Sequence, residues 1–159
     1  MDKDANPDQP APDSVEGDLP ATARSLPIAL IRARERVMAP IRLMLSDSGI
    51  TEQQWRILRV LSEHGPQDAT KLADRACLLL PSQSRIVQSM LAKGYLARAT
   101  DTQDRRRQTL SITAKGQQVI DDNLDRAVEI AASYKAALGA ADYEKLLDLL
   151  EALDRALSQ

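Results

Sequence analysis

Phenylalanine is absent from this chain, and cysteine and histidine occur once each, at Cys77 and His64. A single Cys excludes an intramolecular disulfide framework and any four-thiolate metal site. With one His as well, the usual zinc and iron constellations cannot be assembled, so neither a metal nor a cofactor is expected. Long apolar runs are also missing: none approaches the ~20 residues that span a bilayer. No charged-then-apolar leader opens the chain, and a soluble, cytoplasmic protein with no membrane partner is expected. Catalytic signatures are lacking too. The sequence offers no Ser/His/acid grouping, phosphate-binding glycine loop or HExxH motif, which argues against an enzyme.

What is present is 159 residues, enough for one domain with a real core and an appendage. The net charge of −2 argues at face value against a polyanion-binding protein, but the charge is unevenly spread. Residues 1–23 carry −5, residues 24–50 carry +3, residues 51–112 carry +4 and residues 113–159 carry −4. The first segment holds Pro7, Pro10, Pro12 and Pro20 among six acids. It has almost nothing to bury against the entropy of ordering, and a disordered acidic arm is expected there.

From Pro27 the pattern becomes helical, with Ile31, Arg34, Val37, Met38, Ile41 and Leu45 at three- and four-residue steps. Pro40 interrupts this helix, which Ser46-Asp47-Ser48-Gly49 ends. Thr51 and Gln54 read as a capping box for a second helix, whose buried face is Trp55, Ile57, Leu58 and Leu61. A short third helix is expected from about Asp68 to Ala76. A fourth opens at Pro81 and closes at Gly94. The period then changes. Leu96–Ala99 and Thr109–Ile112 read as two strands around a charged connection containing Asp101, Asp104, Arg105, Arg106 and Arg107. Thr113 caps a long fifth helix, Gly139 breaks it, and a sixth carries Tyr143, Leu146, Leu147, Leu150, Leu153 and Leu157 on one face. The fold class expected is mainly α with a small β-hairpin wing: a winged helix-turn-helix at 51–112. The helices at 24–50 and 113–159 carry more apolar stripe than one small domain buries, so a homodimer is expected through them.

The fourth helix is the most informative element. Ile86, Val87, Met90 and Leu91 share one face, while Arg85, Gln88 and Ser89 lie opposite, flanked by Ser82 and Ser84. That second face has no acid, and its residue types hydrogen-bond base edges and phosphates. Double-stranded DNA is therefore the expected partner, the plain alternative being a solvated amphipathic face. Arginines at the tip of the ribbon suit an adjacent minor groove, drawn by its negative potential. Dimer symmetry calls for a pseudo-palindromic operator.

The stretch from Asp104 through Gly116 resembles the wing and following helix start of MarR-type regulators: D-x-R, a strand, then L-T-x-x-G. Ile112 stands where Leu is usual, and Arg105 is one basic residue more than the pattern requires. Ser82–Val87 and Lys93–Leu96 are similar to the family's recognition helix and its turn. Within the family, Thr51–Arg56 and Ala76–Ser82 are similar to regulators of homoprotocatechuate (4-hydroxyphenylacetate) degradation. The resemblance implies a homodimeric repressor released from DNA by a small aromatic effector. It makes Arg106 the minor-groove residue steadied by Asp104, with Arg105 and Arg107 on phosphates.

An aromatic carboxylate needs an apolar wall and a cation. Where the resemblance places the effector, Met38, Arg42, Trp55 and Arg56 supply both, with Arg34 a further candidate. The alternative makes Trp55 core and the arginines surface or dimer ion pairs. Cys77 follows the same logic. A thiol-based redox sensor is one alternative function and a helical protein-interaction module another. Cys77 stands beside Leu78-Leu79-Leu80, however, and buried packing is expected.

Overall fold

The computed structural model describes residues 21–100 and 108–158. After a single 3-10 turn at Thr22–Arg24 come α1 (Leu26–Ser46), α2 (Glu52–His64), β1 (Gln67–Asp68), α3 (Ala69–Arg75) and α4 (Leu80–Ala92). Then follow β2 (Leu96–Thr100), β3 (Gln108–Ile112), α5 (Ala114–Leu138) and α6 (Ala140–Leu157). The acidic arm expected at residues 1–23 lies almost wholly outside the described residues. The described residues divide between two units, one ending at Glu35 and the other beginning at Arg36. Everything described below about packing concerns the second. Among the described residues, no helix is long and apolar enough to cross a membrane.

The core gathers the end of α1 (Met44, Leu45), the face of α2 (Trp55, Ile57, Leu58, Leu61), Leu72 and Ala76, Val87 and Met90 of α4, Leu96, Leu110 and Ile120. Leu45, the four α2 residues, Val87 and Met90 are positions that helical periodicity assigns to a buried face, whereas Met44 lies off the stripe read for α1, of which Ile31 and Val37 are exposed. Local chemistry sets the boundaries. Thr51 Oγ1 accepts the Gln54 amide at 3.2 Å and Gln54 Oε1 accepts the Thr51 amide at 3.1 Å, so two orphan donors of α2 are satisfied reciprocally. Gly65 closes α2 at φ +70, and Gly139 separates α5 from α6 at φ +82.

The sheet differs from the expected two-stranded hairpin. It has three antiparallel strands in the order β1-β3-β2, with Arg98 opposite Leu110 and Gln67 on the other side of Leu110. Two residues are too short for an alternation to be read, so β1 was invisible to periodicity. Gln67 is anchored through its side chain. Its Nε2 donates to the carbonyls of His64 (3.1 Å) and Pro66 (3.0 Å), and its Oε1 accepts Arg75 Nη1 at 3.0 Å. Buried Asn123 is a second polar tie, donating to Ser48 Oγ at 3.0 Å and to the Val119 carbonyl at 2.9 Å. Tyr134 on α5 donates to the Val37 carbonyl at 2.6 Å. Burial, and secondarily the Tyr143 phenol, push its hydroxyl above the usual value, which keeps it a donor.

Candidate nucleic-acid interface

The turn before α4 is built by α3. Leu78 N–H donates to the Ala73 carbonyl at 2.9 Å and Cys77 N–H to the Asp74 carbonyl at 3.0 Å. These bonds form a Schellman motif, with Cys77 at φ +50 in the position glycine usually takes. The left-handed backbone turns the Cys77 side chain outward, and the thiol is exposed, contrary to the packing its apolar neighbours suggested. Arg56 completes this turn, its Nη1 donating to the carbonyls of Ala76 (2.7 Å) and Cys77 (3.0 Å). α4 then starts one residue earlier than expected, at Leu80, with Pro81 in the first turn where a missing N–H costs nothing.

Along α4 the two faces separate as the sequence indicates. Val87 and Met90 are buried and Ile86 and Leu91 pack against the core. Ser82, Ser84, Arg85 and Gln88 are exposed and Ser89 is half-buried. No carboxylate lies anywhere on the helix, and its first turn holds none. Gln83, three residues before Ile86 and four before Val87, was not among the candidates. It lies on the inner side, 2% exposed, and its Nε2 has no hydrogen-bond partner among the described residues.

The end of α4 is locked to the wing and to α5. Tyr95 N–H donates to the Met90 carbonyl and Gly94 N–H to the Leu91 carbonyl, a second Schellman motif, this one with glycine at φ +75. Thr113 Oγ1 donates to the Gly94 carbonyl at 2.7 Å and accepts the Gly116 amide at 3.1 Å. It thus caps α5 and clamps that helix onto the α4 turn. Lys115 Nζ adds a bond to the Lys93 carbonyl at 2.7 Å. A Cβ at Gly116 would collide with the Tyr95 carbonyl oxygen and stand 2.8 Å from Ile112 Cγ1. The T-x-x-G part of the motif is therefore the joint between reading helix, wing and α5.

Between α4 and the wing strands is a hollow of about 100 Å³. Gln83, Ser84 and Gln88 line it from α4, and Arg98 and Gln108 from β2 and β3, over an apolar floor of Val87 and Leu110. Gln83, Arg98 and Gln108 were not foreseen as site residues. Gln83 shares the spacing of the buried face with Val87 and Met90, the one sequence signal that sets it apart from its serine neighbours. Nothing in the sequence says that Arg98 stands across from α4, since that follows from the strand register. The wing-tip candidates Asp104, Arg105, Arg106 and Arg107 lie outside the described residues.

The effector candidates differ in their surroundings. Arg34 belongs to the first compact unit, where its Nη1 donates to Glu35 Oε1 at 3.0 Å. Met38 is half-buried, Trp55 is buried in the core cluster, and Arg42 pairs with Glu52 Oε2 at 3.3 Å at the head of α2. Arg56 directs Nη1 to backbone carbonyls.

Residues 50–107, which include α2, α3, α4 and β2, match the MarR family. The transcriptional regulator FarR of Neisseria gonorrhoeae is 36% identical over 81% of this chain and 88% of its own. The chain belongs to the MarR family. It is thus a winged-helix transcriptional regulator and not an enzyme. The homoprotocatechuate degradative operon repressor of Escherichia coli is also 36% identical, over 80% of this chain and 86% of its own. Among solved structures, NadR in complex with 4-hydroxyphenylacetate is 34% identical, with a TM-score of 0.74, over 90% of this chain and 97% of that one.

Proposed function

We propose that this MarR-family protein is a homodimeric, sequence-specific repressor that a small aromatic acid or phenol releases from its operator, and that it controls the breakdown of an aromatic compound. The observation that carries the DNA-reading part is the acid-free exposed face of α4, whose C-terminal turn Thr113 and Lys115 tie to the start of α5. In this reading Ser82, Ser84, Arg85, Gln88 and Ser89 read the major groove. Arg106, steadied by Asp104, enters the neighbouring minor groove, and Arg105 and Arg107 meet phosphates. Dimerisation runs through α1, α5 and α6, as apolar side chains left exposed on those helices suggest.

The effector class follows from the relatives: one is a repressor of homoprotocatechuate degradation, and a similar structure holds 4-hydroxyphenylacetate. Met38, Arg42 and Trp55 are the favoured candidates for the effector site. Arg56 is assigned the supporting role of holding the turn before α4, because its guanidinium already serves two carbonyls.

Titration of the protein with 4-hydroxyphenylacetate, read both by thermal shift and by release from duplex DNA, tests the whole reading. Stabilisation and release at similar concentrations are expected, since ligand and DNA affinities are reciprocally coupled. Stabilisation without release would make the compound a ligand but not an inducer. No binding to random duplex at low salt would remove the DNA reading itself.

A further inference from the structure

A protein that reads one major groove with a helix and the adjacent minor groove with a ribbon must straddle the sugar–phosphate strand that separates the two grooves. That strand passes over the seam between helix and ribbon. Here the seam is the hollow between α4 and β2–β3, and its chemistry is one-sided. Arg98 supplies a guanidinium, Gln83, Gln88 and Gln108 supply amides and Ser84 a hydroxyl, with no carboxylate in the lining among the described residues.

Two features mark the hollow as a built site rather than a gap in packing. Gln83 is almost fully buried, yet its Nε2 donor has no partner among the described residues. Burying an unpaired amide is costly, so a donor held at the wall of a polar hollow is matched to an acceptor that arrives from outside. Size is the second feature. About 100 Å³ is well below the several hundred Å³ of a typical small-molecule pocket, but suits one tetrahedral oxyanion.

We infer that this hollow seats one backbone phosphate of the operator, with Arg98 as its cation and the Gln83 amide as its innermost donor, directly or through a water. The inference rests on the DNA-binding reading above and adds two residues to it. Arg98 contributes affinity without sequence preference. Ser84 and Gln88, on the rim and exposed, bridge between the phosphate and the base edges beside it.

The test uses full-length protein and an operator recovered by selection from a random duplex pool. Affinities for that operator and for random duplex are measured from low to moderate salt for wild type, Arg98→Ala and Arg98→Lys. Loss of one phosphate contact lowers the magnitude of the slope of log affinity on log salt by about 0.9. Arg98→Ala is expected to show that drop, with the operator-to-random ratio unchanged, and Arg98→Lys to restore most of the slope. Gln83→Met is the second variant: removing an unpaired buried donor should leave the melting temperature unchanged or higher, while affinity for both duplexes falls several-fold.

A wild-type slope in Arg98→Ala overturns the inference while leaving the DNA-binding reading intact. So does a several-degree fall in the melting temperature of Gln83→Met without loss of DNA affinity, which would make Gln83 a packing residue. Inorganic phosphate at constant ionic strength separates the remaining source. If it raises the melting temperature of wild type but not of Arg98→Ala, while the DNA slopes agree, the seat belongs to a free anion and the operator assignment falls. If wild type itself shows no salt-dependent DNA binding, the DNA-binding reading fails and takes this inference with it.

Discussion

Gly116 shows how much a single residue can hold. Its missing side chain lets the first turn of α5 lie against the Tyr95 carbonyl, Ile112 and Leu58 at once. Gly116→Ala is expected to destabilise the fold by about 2–3 kcal/mol in urea unfolding, at the upper end of overpacking costs because one contact is backbone. An unchanged midpoint would show that α5 can shift outward freely. Cys77 makes the opposite point. Its neighbours are leucines, which suggested burial, but a left-handed φ at the end of α3 turns the side chain out. No composition signal carries that sign of φ, because glycine is the residue that normally announces it. Gln83 was hidden for another reason: serine, glutamine and arginine alternate through the first turns of α4, and only its step to Val87 places it inward.

At the scale of elements, α4 was the most legible. An apolar face at 3.6-residue spacing opposite an acid-free polar face indicates both its burial and its proposed role. Arg85 is the exposed cation on that face. Arg85→Ala is expected to weaken operator binding by about 1–3 kcal/mol and relax base preference if it makes a bidentate base contact. Equal losses on operator and random duplex in gel shifts would reassign it to the backbone. The sheet was less legible, for a physical reason. Strands β2 and β3 run five residues each, and β3 alternates polar and apolar, whereas β1 is two residues held by Gln67 and Arg75 side chains and by its register with β3. Pairing that short is decided by what it docks against, not by its own pattern.

For the whole molecule the informative fact is what stays uncovered. α6 buries no residue, yet Leu146, Leu147, Leu149 and Leu150 point to solvent with 38–58% of their surface exposed. Val128 and Leu138 of α5 are similarly exposed. Contiguous apolar surface of this kind marks an interface, and a second copy of the chain is its proposed occupant. Replacing Leu146 and Leu150, neighbours one turn apart on α6, with Lys should convert a dimer to a folded monomer. Sedimentation checks the state and circular dichroism the fold. Operator affinity is expected to fall far more than affinity for random duplex, because each monomer then reads one half-site. A dimer that survives both charges would move the interface to other helices.

The sequence by itself determined the six helices, the two ribbon strands and their order, though not β1: caps, breakers and hydrophobic period are local interactions, and they place these elements without reference to the rest of the chain. It also divided the charge, a mildly acidic total concealing a basic stretch at residues 81–107 with six bases and two acids. What only the tertiary structure decided is which side chains meet across elements. Arg98 faces the first turns of α4 because β2 pairs with β3 in one register, and a slip of one residue would turn it to the other side. Arg56 holds the turn before the reading helix because α2 crosses the end of α3. Such contacts depend on residues far apart in the chain, and no local pattern encodes them.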